Sequence, residues 1–238
     1  MARCLDRALA VIPGDASTRL ARAMIDLEAY GDSQPAYDLV QNIVAEDPST
    51  VEALAEQWIY LALCLRDPAE MARALASLAQ DGIIPFSVRM SRSFCEGLAA
   101  RARGDATASE TAFNAARAET EAVLREQADY AEGLCVLGMC DAALGRKEQA
   151  LREGRRAAEL LPITKDAVTG AEVRRNLAIT YAWTGEKDLA ITQLEELLPH
   201  YGPISYGQLR LHPWWDPLRD DPRFERILEE AKKPVALK

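Results

Sequence analysis

The residues with most capacity for chemistry are two histidines, five cysteines and a few charged pairs in a chain of 238 residues. His200 and His212 both adjoin proline, in Pro199-His200 and His212-Pro213, where a loop is expected. Neither has a Ser, Cys or metal-ligand partner at a readable spacing. Cys4, Cys64, Cys95, Cys135 and Cys140 form no CxxC pair. Cys135 and Cys140 are five residues apart, which puts them on different faces of a helix. An odd number of scattered cysteines in apolar surroundings fits buried, reduced thiols. Glu195-Glu196 and Asp220-Asp221 fit a helix surface and an N-cap better than an acid–base dyad. Arg155-Arg156 and Arg174-Arg175 lie among acidic residues and read as solvated faces. No catalytic residue, metal site or cofactor site is expected from these patterns.

Bulk composition narrows the classes further. The net charge is −9, which argues against a nucleic-acid groove on this chain, since such a groove needs clustered Lys and Arg. No apolar run approaches the length of a membrane span. The opening MARCLDRALAVIPGDAS spaces its apolar residues helically and interrupts them with Asp6 and Arg7, so no signal peptide is read there and the cytoplasm is the expected compartment. Aromatics are only 6% while Ala and Leu abound, a balance that favours helix over sheet.

These helices must come from somewhere in the pattern, and the pattern repeats. Counting Ala131 as position 1, Leu134, Leu137, Gly138, Ala150, Ala157 and Pro162 take positions 4, 7, 8, 20, 27 and 32. In 171–204, Leu177, Ala178, Tyr181, Gly185, Ala190, Leu194 and Leu197 take positions 7, 8, 11, 15, 20, 24 and 27. In 17–50, Leu20, Ala23, Met24, Leu27, Gly31, Ala36, Val40, Ile43 and Pro48 take positions 4, 7, 8, 11, 15, 20, 24, 27 and 32. Segment 90–123 keeps Gly97, Gly104, Phe113 and Ala116 in the same frame, and 53–86 is a weaker copy around Asp67-Pro68. Small residues at 8, 20 and 27 let two antiparallel helices approach, and larger ones at 4, 7 and 24 fill the gap to the next helix. The pattern resembles the tetratricopeptide repeat, a helix–turn–helix unit of about 34 residues. That resemblance implies an all-α fold, a right-handed α-solenoid of stacked helix pairs.

One array is expected to span 1–238. Residues 1–16 resemble the second helix of a repeat whose first is absent, with Leu5, Ala8 and Pro13 at positions 24, 27 and 32. We read this half unit as the sign of a fragment of a longer protein. About six extra residues near 163–170 and the segment DGIIPFSV at 81–88 are irregular joints, and the pair Ile83-Ile84 is expected to tuck under adjacent helices.

Residues 205–238 are expected to cap the last apolar face. Phe224, Ile227, Leu228 and Ala231 recur at helical spacing behind the Asp221-Pro222 start signal. Trp214, Trp215 and Leu218 supply large apolar area for such a cover. LRLHPWWDPLRDDPRF, 209–224, also resembles the C-terminal end of large bacterial signalling proteins that carry a kinase, cyclase-like or winged-helix module before a tetratricopeptide array. None of the kinase motifs occurs in this chain.

The resemblance implies binding in a concave groove lined by the first helices of successive units. Its groove positions fall here on Glu172, Arg175, Ile179 and Trp183; on Cys135 and Met139; on Phe94, Leu98 and Arg101; and on Gln57 and Leu61. Arg101 and Arg175 are candidate carboxylate contacts. The expected function is a non-catalytic interaction module, the sensory or scaffold part of a larger bacterial regulator, with a protein or peptide partner. The alternative is a free-standing scaffold that self-associates into a homo-oligomer. An enzyme with an unrecognised helical site is the third reading, and no residue set supports it.

Overall fold

A computed structural model describes residues 2–79, 82–83, 88–200 and 202–233. In chain order the α-helices are α1 (Ala2–Val11), α2 (Ala16–Tyr30), α3 (Gln34–Glu46), α4 (Val51–Leu65), α5 (Pro68–Ala76), α6 (Arg92–Ala102) and α7 (Ala106–Glu126). They continue with α8 (Ala131–Ala143), α9 (Lys147–Leu160), α10 (Thr169–Trp183), α11 (Lys187–Leu197), α12 (Tyr206–Leu211) and α13 (Pro222–Ala231). The described residues also include two 3-10 turns, Pro48–Thr50 and Pro213–Leu218. Among the described residues there is no strand, only an antiparallel bridge between Ile83 and Met90. The protein is all-α. No helix among the described residues is long and apolar enough to cross a membrane.

The helix ends follow local chemistry. The Asp67 carboxylate accepts from the amides of Ala69 and Glu70, and Pro68 occupies the first turn of α5, where no amide is needed. Asp15, Asp105 and Asp221 cap α2, α7 and α13 in the same way. Gly31 closes α2 at φ 67°, a left-handed conformation that side chains resist. α7 runs three residues past the frame 90–123, because good helix formers continue to Glu126 with no Gly or Pro to stop them.

The chain divides into two compact units. The first covers the chain up to Ala79 together with Ser205–Pro213. Here α2 packs on α3 and α4, and α12 returns against α2. Gly207 makes that return possible, since a Cβ there would lie 1.7 Å from the Leu27 carbonyl oxygen. Leu20, Leu27, Val40, Leu54 and Leu61 form its fully buried core. Buried Glu70 accepts from Trp58 Nε1 at 3.1 Å and pairs with Arg73 at 2.5 Å.

The second unit runs from beyond Ala79 to Ile204 and resumes at Trp214. The irregular stretch of the sequence at 81–88 belongs to this unit, and of it residues 81 and 84–87, Ile84 included, lie outside the described residues. Ile83 is half-buried. Helices α6 and α7, α8 and α9, and α10 and α11 pack as successive pairs, and α8 also packs on α7 and α10. The extra residues before α10 form a loop at 161–168, where Asp166 accepts from the amides of Val168 and Thr169. The tail joins this unit with Trp214, Trp215, Leu218 and Phe224 all buried, the Trp215 and Phe224 rings 6.4 Å apart. Arg223 ties α13 to Asp188 of α11 at 2.7 Å.

Candidate functional site

The residues assigned to a groove divide sharply by exposure. In unit 2, Phe94, Leu98, Cys135, Met139, Glu172, Arg175 and Ile179 are buried. In unit 1, Leu61 is buried and Gln57 half-buried. Only Arg101 is exposed, and Trp183 is half-buried. The buried members sit on α4, α6, α8 and α10, which are packed against neighbours on several sides, so their side chains are not available to a partner in this arrangement.

Arg175 is not open to an outside carboxylate because α10 supplies one. Its guanidinium pairs with Glu172 at 2.5 Å, with both side chains under 5% exposed. It also donates to Asn176 Oδ1 at 3.3 Å and lies 5.1 Å from the centre of the Trp214 ring. Burial on this scale requires such satisfaction, since an isolated charge in an apolar interior is costly. Cys135 donates weakly to the Val173 carbonyl at 3.9 Å, and its burial pushes the thiol pKa up to about 12, so it is no thiolate nucleophile at neutral pH.

The accessible remainder is built on an aromatic row. Phe94 meets Phe113 edge-on at 5.6 Å, and Phe113 meets Trp183 edge-on at 6.3 Å. Trp183 Nε1 donates to the Trp214 carbonyl at 3.1 Å, which fixes the indole plane. Arg101 lies over that plane, 4.4 Å from its centre. Its guanidinium makes no hydrogen bond or ion pair among the described residues. Although Arg101 is exposed, surrounding protein disfavours its charge and lowers its pKa, with Asp216 partly opposing that. Such a guanidinium keeps its N–H fork for a planar acceptor while the indole holds its plane.

A second charged cluster lies outside the groove positions. Asp141 on α8 is fully buried, and Glu153 on α9 is nearly so. Arg117 of α7 donates to Asp141 Oδ1 at 2.7 Å. A signal was present: Asp141 takes position 11 of its frame, where the copies at 17–50 and 171–204 carry Leu27 and Tyr181. Among the described residues no group of three or more His, Cys, Asp or Glu side chains is placed to hold a metal ion.

Compared with known proteins, the chain matches no protein-family model, and no curated protein matches it.

Proposed function

We propose that this chain is a non-catalytic protein-interaction module of the tetratricopeptide kind, a right-handed solenoid of helix pairs. It serves as the sensory or scaffold part of a larger cytoplasmic bacterial regulator. Its partner presents an extended segment with a carboxylate, which docks on Arg101 beside Trp183. The observation that carries this reading is the exposed guanidinium, stacked on an indole and bound to no carboxylate of its own chain among the described residues. Arg–carboxylate pairs are often bidentate, and a stacked Arg loses little freedom in forming one. The helix pairs and the shared frame of small residues support the repeat reading.

Selection from a displayed random-peptide library tests it. The wild type enriches peptides that share an acidic residue or a free C-terminal carboxylate. Arg101→Gln, with helicity and thermal midpoint retained, fails to enrich them. Equal enrichment by both proteins would remove Arg101 from the site.

A second reading, a self-associating scaffold, is favoured by one specific observation. α1 contains no buried residue, and its last residue Val11 and the following Ile12 are 79% and 62% exposed. Sedimentation that stays monomeric at high concentration eliminates that reading.

A further inference from the structure

Inside unit 2 two carboxyl groups meet where three helices join. Asp141 of α8 is 0% exposed, and Glu153 of α9 is 8% exposed. Arg117 Nε of α7 and Arg146 face Asp141 Oδ1, at 2.7 and 3.5 Å. Arg152 donates to Glu153 Oε1 at 3.3 Å. One oxygen on each carboxyl is left over: Asp141 Oδ2 and Glu153 Oε2 are buried and accept no hydrogen bond. Both flank the tight crossing of α8 and α9, Asp141 three residues beyond Gly138 and Glu153 next to Gly154. The helices that carry them approach closely. A Cβ added to Gly138 of α8 would stand 3.1 Å from the Ala150 carbonyl oxygen and the Gly154 nitrogen of α9. Two ionised carboxylates held this way would repel and leave both inner oxygens without a donor.

We propose that Asp141 and Glu153 share one proton, carried by Glu153 and donated to Asp141 Oδ2, and that this proton is a pH-sensitive clasp between α8 and α9. One O–H accounts for both left-over oxygens at once. The other charged or titratable groups around the pair are settled elsewhere. Arg117 also pairs with Glu121 on α7 at 2.8 Å. Cys140 on α8 is buried, and burial raises its pKa. On the α10 side, the Tyr181 hydroxyl accepts from Arg155 at 3.1 Å. Glu153 also lines an open depression of about 690 Å³ along α9, together with Leu151, Arg152 and Arg155, which gives the proton a way to solvent.

Burial first, and then the neighbouring Asp141, push the Glu153 carboxyl up to about 7. The sign follows from linkage. A carboxyl whose folded pKa is raised stabilises the fold fully below its unfolded value, and the contribution is lost as pH rises through the folded value. The clasp therefore loosens between about pH 5 and 7 and is open above.

Glu153→Gln is the discriminating variant, because its amide N–H reaches the same Asp141 oxygen without titrating. Denaturant unfolding is followed at several pH values for both proteins. The unfolding constant of the wild type, divided by that of E153Q, rises by about tenfold per pH unit between about 5 and 7 and then levels. A ratio that stays flat with pH overturns the clasp. Carbon-13 NMR titration of the wild-type carboxyls serves even if the variant folds poorly. One Glu carboxyl titrates about two units above the ordinary range if the proton is shared, and all Glu carboxyls titrating in the ordinary range would overturn the proposal.

Discussion

Helices α9 and α10 lie side by side in unit 2 and treat their charged residues in opposite ways. On α9 only Ala150, Glu153, Gly154 and Ala157 are buried, and Arg152, Arg155 and Arg156 stand in solvent. On α10 only Arg174 and Trp183 escape burial. Glu172, Arg175 and Asn176 are therefore interior groups that must satisfy one another. An arginine on the first helix of a pair is thus no more a ligand contact than a leucine there, unless its own chain leaves it open. Arg101 is left open and Arg175 is not. Two arginines at groove positions thus carry two different roles, decided by what packs across from each.

Substitutions can break this contrast, and the largest effect belongs to the enclosed side. Arg175→Ala leaves Glu172 buried without its counter-ion and costs about 3–5 kcal/mol in denaturant unfolding. The double replacement Glu172→Leu with Arg175→Met removes both charges and restores most of that loss. A small effect of R175A would mean that water reaches the inner face of α10. Gly138→Ala probes the close approach of α8 to α9. Its Cβ meets backbone rather than a movable side-chain tip, so a loss of about 1–3 kcal/mol is expected in the same measurement. The smallest effect belongs to the solvated side. Arg156 pairs with Asp129 at 3.0 Å, but both side chains are at least half exposed. Arg156→Ala should change stability by less than about 1 kcal/mol, and that little should vanish at high salt.

Much of the fold could be read in advance, for local reasons. Asp67-Pro68 and Asp221-Pro222 start α5 and α13 because capping needs only neighbours in sequence. Gly31 and Gly145 end α2 and α8 with positive φ for the same kind of reason. The burial of Trp214, Trp215 and Phe224 followed from the need to cover an apolar face. The site was less legible. Glu172 and Arg175 are visibly three residues apart, yet nothing local says that their side chains are enclosed. Asp141 and Glu153 meet only because α7, α8 and α9 pack together, and Arg117 comes from 24 residues away. The division near 80 leaves no compositional mark, only the irregular stretch 81–88. Contacts that depend on three elements at once leave little trace in any one of them.

The contrast between enclosed and open positions can be read from thiols directly. Cys4 is exposed, whereas Cys64, Cys95, Cys135 and Cys140 are buried. Cys135 stands at a groove position on α8, so its reactivity reports on whether that face is open. The native protein is treated briefly with a thiol reagent, and each cysteine is scored by mass spectrometry, with a denatured control. The account predicts that Cys4 is modified at once and that Cys135 reacts only after unfolding. Modification of Cys135 as fast as Cys4 would contradict it, and would return the whole inner row, Arg175 and Ile179 included, to the surface.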